Sequence, residues 1–261
     1  MELSFPDLPS HNGSPHTEIL MTTHSQPHVL GRVAALWRYP VKSMAAEPLD
    51  AVDVGWHGLV GDRRWAIFRD TKAEFGFPWL TLRERPDMNR FRPSYVDPDK
   101  ANQSTVAVQS GEHQVELLDP AFVREFGDDL RVIKLFRGAF DVMPLSLITT
   151  RTIASIGASI GDPVDVHRFR PNLLVEADGD EPFPEDAWVG GVLRIGRMRM
   201  RVDQRNERCA VVNVDPVTSA RNPQVLRAIA RTRDARLGVY GSTVEPGRVS
   251  VGDLVVVEAR C

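Results

Sequence analysis

The sequence holds only two cysteines in 261 residues, Cys209 and Cys261. That excludes a disulfide-dense scaffold, a zinc site built from cysteines alone and a cysteine-ligated iron–sulfur cluster. Lysine is nearly as rare. Lys42, Lys72, Lys100 and Lys134 are the lysines among 32 basic residues, and the rest are arginine. Against 35 acidic residues this leaves a formal net charge of -3, which argues against nucleic-acid binding by bulk charge. No apolar run is long enough for a transmembrane helix, and no basic stretch leads into an apolar one at the N-terminus. No membrane association and no secretory signal are therefore expected, and the expected location is cytoplasmic. No G-x-G-x-x-G fingerprint marks a nicotinamide site. What remains, with 42% apolar and 26% charged residues, is the composition of an ordinary globular chain.

Residues 1–28 are rich in Ser, Pro, His and Thr, contain no Lys or Arg, and carry His11, His16, His24 and His28 at spacings that match no zinc motif. They read as a flexible leader. Beyond them short strands dominate, at 30–39, 49–54, 64–68, 105–108, 114–118, 132–136, 173–176, 192–195, 198–203 and 249–258. Gly196-Arg197 between two alternating runs signals a hairpin. Helices are expected at 119–126, capped by Asp119, at 150–160, with Ile153, Ile156 and Ile160 on one face, and at 222–233, opened by Asn222-Pro223. Segment 86–103, with its Pro, Asp and Asn, reads as an exposed excursion. The fold class is mainly β with a few helices (α+β), built from barrels rather than a parallel α/β sheet. The expected division is a leader at 1–28, an N-terminal β-barrel-like domain at 29–118 and a second β-barrel domain at 119–261.

Four segments carry the chemistry: Tyr39-Pro-Val-Lys-Ser43, Phe169-Arg-Pro-Asn172, Glu207-Arg-Cys-Ala-Val-Val-Asn-Val-Asp-Pro216, and Tyr240-Gly241 with Pro246-Gly247 and Val251-Gly-Asp253. Singly each has a plain reading. Lys42 is a solvated charge, Arg170 to Asn172 a turn, Cys209 a small buried hydrophobe, and Arg205 and Arg208 surface arginines. Together, in this order, they resemble the MOSC family, named after molybdenum-cofactor sulfurase C-terminal domains. The likeness is to its two-part members, with an N-terminal β-barrel ahead of the MOSC domain, such as the amidoxime-reducing component and its bacterial relatives. It covers about residues 29–258.

The resemblance implies a molybdenum–pterin cofactor between the two parts, with the Cys209 thiolate on the metal. A soft thiolate suits a metal that already carries dithiolene sulfurs, and Arg208 adds positive potential beside it. Lys42, Ser43, Arg83, Ser146, Arg170, Asn172 and Arg208 are then the residues expected to hold the pterin and its phosphate. Ser146 stands just ahead of a helix whose N-terminal amides favour an anion. Asp215, six residues after Cys209, serves catalysis or proton delivery, or equally caps a turn. Gly241, Gly247, Gly252 and Asp253 fit hairpin chemistry. The implied activity is molybdenum-dependent reduction of small N-hydroxylated substrates, amidoximes and hydroxylamines, with electrons from a separate ferredoxin, flavoprotein or cytochrome. The alternative is a carrier that holds the cofactor, or sulfur on Cys209, without turnover of its own. Relatives often carry Thr where this chain has Val212 and Asn213, and Gly where it has Ser219, which bears on substrate choice. Some bacterial relatives add a C-terminal ferredoxin domain, which is not expected in this chain.

Overall fold

The computed structural model describes residues 28–258, except for the side chains of residues 73–75. The expected leader and Cys261 lie outside the described residues, apart from His28, which opens the first strand. The first half holds strands β1 (His28–Arg38), β2 (Glu47–Leu49), β3 (Ala51–Gly55), β4 (Gly58–Leu59), β5 (Trp65–Arg69), β6 (Arg92–Tyr95), β7 (Val106–Ser110) and β8 (His113–Glu116). Helix α1 (Pro120–Arg124) and β9 (Leu130–Lys134) follow, then β10 (Leu145–Thr149), α2 (Thr150–Ile160) and β11 (Leu173–Ala177). The chain ends in β12 (Val192–Ile195), β13 (Met198–Glu207), α3 (Pro223–Arg233), β14 (Arg236–Glu245), β15 (Gly247–Ser250) and β16 (Leu254–Glu258). The fold is mainly β, as the alternating sequence pattern requires, and no helix among the described residues is long and apolar enough to cross a membrane.

Seven strands close into a barrel in the order β11-β10-β14-β13-β12-β16-β1, with β1 pairing back onto β11. Six come from the second half of the chain. The seventh, β1, is the first strand among the described residues, antiparallel to both β16 and β11. β10 and β11 run parallel, with α2 crossing between them, while Gly196 turns the expected β12–β13 hairpin with φ 56°. Inward residues of alternating strands fill the interior, among them Val33, Leu36, Leu147, Val175, Leu193 and Met200. On one side α2 and α3 cover the barrel through Ile156, Val225 and Ile229.

The remaining N-terminal strands form a smaller unit of the β5–β9 pair and the β6–β7–β8 sheet. Its core joins Val41, Met44, Trp65 and Ile67 to a cluster of Phe91, Phe122 and Phe126 with ring centroids 5.1 to 5.4 Å apart. Phe122, Phe126 and Leu130 lie beyond the expected division at 118/119, yet they pack in this core. The units are also stitched together by β3, which pairs with β15 through Val54 and Gly247.

Several local expectations need correction. Segment 86–103 is no exposed excursion, because Met88, Phe91, Tyr95 and Ala101 are buried in the N-terminal core. Its prolines are accommodated at helical-turn starts and on β6, an edge strand, where a missing N–H is tolerated. The runs at 49–54 and 249–258 each break into two strands that pair with different partners. β10 and β14 were not expected. β10 is buried at every position and so lacks alternation, and β14 is interrupted in sequence by Gly238 and Gly241.

Barrel closure depends on Gly31. It has φ 148°, and a Cβ there would lie 2.1 Å from the Glu176 carbonyl oxygen across the β1–β11 seam. Gly31→Ala is expected to cost more than about 2 kcal/mol in chemical unfolding, through overlap and backbone strain. Gly55→Ala, whose added methyl meets nothing within 4 Å, is expected to stay within about 0.5 kcal/mol.

Candidate functional site

β1 leaves the barrel at Tyr39 and turns into the segment Tyr39–Ser43. From there Lys42 and Ser43 reach a cavity of about 290 Å³ between the barrel and the N-terminal unit. The N-terminal unit also supplies Arg63 and Arg83 to its wall. The barrel side supplies Ser146 from β10, Tyr240 from β14, Arg170 from the turn before β11, and Arg208 and Cys209 from the end of β13. Ser146 and Tyr240 face each other across paired strands. Of the residues read from the sequence, Lys42, Ser43, Arg83, Ser146, Arg170, Arg208 and Cys209 all meet on this wall, whereas Asn172 and Asp215 do not.

The wall is built on unusual backbone. Ser43, Arg63 and Arg170 have φ of 70°, 51° and 50° without being glycine. Such residues cost about 1–3 kcal/mol each and persist only where surroundings hold them. The holding groups are specific. Arg63 N–H donates to the Tyr39 carbonyl at 2.6 Å, Ala139 N–H to the Arg63 carbonyl at 2.8 Å, and Arg170 N–H to the His167 carbonyl at 3.2 Å. The Tyr39 ring is flanked by the guanidinium carbons of Arg170, at 4.2 Å from its centroid, and Arg63, at 4.6 Å. The Tyr39 hydroxyl donates to the Pro171 carbonyl at 3.1 Å, and its N–H donates to Asp62 Oδ1 at 2.8 Å. Asp62 also pairs with Arg63. One buried tyrosine thus orders two arginines of the wall.

The electrostatics follow from desolvation. Arg170 donates Nη1 to the Met44 carbonyl at 2.7 Å, and its buried Nη2 has no hydrogen-bond partner among the described residues. Arg208 donates to the Leu237 and Phe169 carbonyls at 2.7 and 2.8 Å. Burial pushes both guanidinium pKa values down to about 10, offset in part by Tyr39 for Arg170 and by Tyr240 for Arg208. Neither forms an ion pair with a carboxylate among the described residues. Gly238 permits the approach of Arg208, whose Nη2 would lie 3.2 Å from a Cβ at that position. Burial likewise holds Lys42 below the ordinary lysine range, against the pull of Asp141. Lys42 Nζ donates to the Ala139 carbonyl at 2.7 Å and pairs with Asp141. Burial alone would raise Asp141, but Lys42, Arg63 and Arg83 hold its carboxyl below the usual range.

The two residues off the wall have identifiable tasks. Asn172 is buried, with Oδ1 accepting from the Ser146 N–H and hydroxyl, each at 3.2 Å, and Nδ2 donating to the Trp37 carbonyl at 3.3 Å. It ties β10 to β1 behind the cavity. Asp215 Oδ1 accepts the N–H groups of Val217 and Thr218 at 3.0 and 2.8 Å, and Oδ2 accepts from Arg168 at 2.6 Å. Its carboxylate closes a turn and anchors Arg168, which does line the cavity. The expected role of the helix after Ser146 also needs correction. Thr149 caps α2, its hydroxyl oxygen accepting the Thr152 N–H at 3.2 Å, and buried Glu185 accepts from the hydroxyls of Thr149 and Thr152 at 2.8 and 2.7 Å, so a carboxylate already stands at that helix start. Sequence reasoning passes over Arg63, Arg168 and Asp141, and names Tyr240 as part of a segment but not as a site residue.

Cys209 is exposed, in extended backbone at the foot of the helical turn Ala210–Asn213. Among the described residues no three His, Cys, Asp or Glu side chains gather as a metal site. A metal at Cys209 must therefore arrive with most of its ligands. A molybdenum–pterin group meets that condition, since it brings its own sulfurs and an anionic phosphate to a thiol amid desolvated cations.

A closed barrel joined to a smaller β unit, with a cationic cavity between them, defines the class. The family follows from matches in the same order: a MOSC N-terminal beta barrel domain over residues 30–131 and a MOSC domain over residues 137–256. The chain belongs to the MOSC family in its two-domain form. It is 22% identical over 282 residues to human mitochondrial amidoxime-reducing component 1, covering 87% of this chain and 82% of that protein. It is 31% identical over 281 residues to a molybdenum cofactor sulfurase of Drosophila mojavensis, covering 87% of this chain and 35% of that one. A zebrafish (Danio rerio) molybdenum cofactor sulfurase is 38% identical over 77 residues, 29% of this chain and 9% of that protein. The chain thus spans well under half the length of these sulfurases. The YUAD protein from Bacillus subtilis aligns in structure over 87% of this chain and 94% of its own, at 13% identity and a TM-score of 0.48.

The Tyr39 clamp has a measurable signature. Burial pushes the Tyr39 hydroxyl up from 10.0 to about 12, against the pull of Arg170 and Arg63. A raised folded-state value means the folded chain holds this proton longer. The associated stability is complete below pH 10 and is lost as pH rises toward about 12. Ultraviolet titration is expected to show this late ionisation, and Tyr39→Phe to remove part of the alkaline stability loss. Tyr95, raised in the same sense by burial, accounts for a further part.

Proposed function

We propose that this chain binds the molybdenum cofactor in the cavity between its two units, with the Cys209 thiolate on the metal, and reduces small N-hydroxylated substrates with electrons from a separate donor. The observation that carries this reading is the position of Cys209, on the same wall as the guanidiniums of Arg170 and Arg208, which lack carboxylate partners. Buried guanidiniums without an ion-pair partner favour an anion among them, and the orphan Nη2 of Arg170 leaves a donor unsatisfied beside the seat. The name of the sulfurase relatives supports the cofactor class, and that of the amidoxime-reducing component supports the substrate class.

When bound, the cofactor supplies the two-electron chemistry that removes an oxygen atom. The chain holds it. Lys42, Arg63, Arg83 and Arg170 balance the phosphate and pterin, Ser43 and Ser146 offer hydroxyls, and Cys209 fixes the metal. Asn172 and Tyr39 act from behind as positioning residues. With the Asp215 carboxylate turned into its own loop, the carboxylates on the wall are Asp141 and Glu207. Proton delivery is assigned to these two or to solvent.

Purification from a molybdenum-replete host is expected to give about one molybdenum per chain, measured by inductively coupled plasma mass spectrometry. Cys209→Ala is expected to lower this about tenfold or more. Reduced dye should drive conversion of benzamidoxime to benzamidine. Bound molybdenum without turnover would replace the reductase reading with the carrier, and wild-type chain lacking molybdenum would end both.

A further inference from the structure

Beside the cavity, three large apolar side chains face solvent. Phe136 is 80% exposed, Trp56 66% and Val142 60%. Two contacts bring the β3–β4 hairpin to this region: the rings of His57 and Phe136 lie 6.3 Å apart, and Gly58 packs against Pro144, while Val142 lines the cavity itself. Trp56 and His57 form the tip of the tight β3–β4 hairpin, a place where small polar residues are usual. A tryptophan held in water there, on a hairpin tip whose histidine meets an exposed phenylalanine, is the composition of an interface centre rather than of a free surface.

Cations without carboxylate partners stand near Phe136, while Asp141, half-exposed beside Val142, is paired with Lys42. Arg64, Lys134 and Arg137 lie around Phe136 in the paired β5–β9 region and its exit, and none forms an ion pair with a carboxylate among the described residues. Arg64 spends its donors on the Leu135 carbonyl at 2.5 Å and on Asn102, while Arg137 has no partner among the described residues. Lys134 stacks over Trp65 at 4.9 Å.

We infer that this face docks an acidic protein that carries single electrons, delivering them at the rim of the cavity. The inference rests on the reading of the cavity as a redox centre. The aromatic pair supplies the buried centre of the contact, the unpaired cations steer a negatively charged partner, and Val142 makes the face continuous with the cavity. Each reduction of an amidoxime takes two electrons and two protons, breaks the N–O bond and releases the oxygen as water. A one-electron carrier therefore docks, transfers and leaves twice per turnover, which calls for a modest, salt-sensitive contact.

The test uses the full, molybdenum-loaded chain and a plant-type [2Fe–2S] ferredoxin, which is acidic, as the probe. Binding is followed by titration calorimetry, and reduction of benzamidoxime is driven by ferredoxin or, separately, by dye. Ferredoxin binding is expected to weaken steeply with salt. Arg137→Glu and the pair Trp56→Ser with Phe136→Ser are each expected to weaken it about tenfold and to lower ferredoxin-driven rates in step. Dye-driven rates and molybdenum content should stay unchanged, which also shows that the variants fold. Failure of dye-driven turnover in the wild type would overturn the redox reading itself, while the binding arm still reads the face. The docking proposal falls if ferredoxin does not bind, if these variants bind it like wild type, or if basic cytochrome c binds as well. It also falls if phosphatidylserine vesicles capture the chain through Trp56 and Phe136, which would make the face a membrane contact.

Discussion

Everything in this molecule depends on where β1 goes. The strand fills the gap between β16 and β11, and without it the six strands of the second half would be an open, twisted sheet with two raw edges. The same strand then runs straight into Tyr39, Lys42 and Ser43. Closing the barrel and aiming the first cavity residues are one event, and β3 locks the arrangement by pairing with β15. Ser146 and Tyr240 sit on paired strands, and most of the other cavity residues sit in short turns anchored to strands of both units.

Within that frame the cavity is a place where the protein accepts unfavourable arrangements. Left-handed backbone at Ser43, Arg63 and Arg170 and the desolvated guanidiniums of Arg170 and Arg208 would each lower stability if considered alone. Arg63 and Arg170 share one stabilising element, the Tyr39 ring, itself held by hydrogen bonds from Tyr39 to Pro171 and Asp62, while Arg208 stacks over Phe169. Such concentration of strain and uncompensated charge is expected where a ligand completes the structure, and the family membership of the chain is consistent with that reading.

Much of this was legible in the sequence. Local signals placed α2, α3, β12 and the start of β13 to within a residue, because capping residues and alternation are properties of short windows, while β13 runs four residues beyond its expected end. Of the nine residues named for the site, those in the Lys-Ser, Arg-Pro-Asn and Arg-Cys segments are gathered by the fold, with Asn172 behind the wall. What stayed hidden depended on distant partners. β10 has no alternation because neighbours cover both faces. Segment 86–103 looks polar by composition, yet Met88, Phe91 and Tyr95 turn the same way into a core contributed largely from elsewhere. Arg63 is passed over in favour of Arg83, and the stacking on Tyr39 that distinguishes it joins residues from different turns. The turn-forming role of Asp215 was open in sequence, and hydrogen bonds from Val217 and Thr218 account for it.

The pairing of Gly31 with Val255 also orders events during synthesis. Among the described residues the first strand to leave the ribosome has β16, the last of them, as one of its partners. The N-terminal core, from Val41 to Leu130, can collapse early, but the barrel must wait until β16 has been made. Until then one edge of an apolar strand stays available to other chains. Aggregation at expression is therefore set by how fast translation reaches β16 and by what shields that edge of β1 in the meantime.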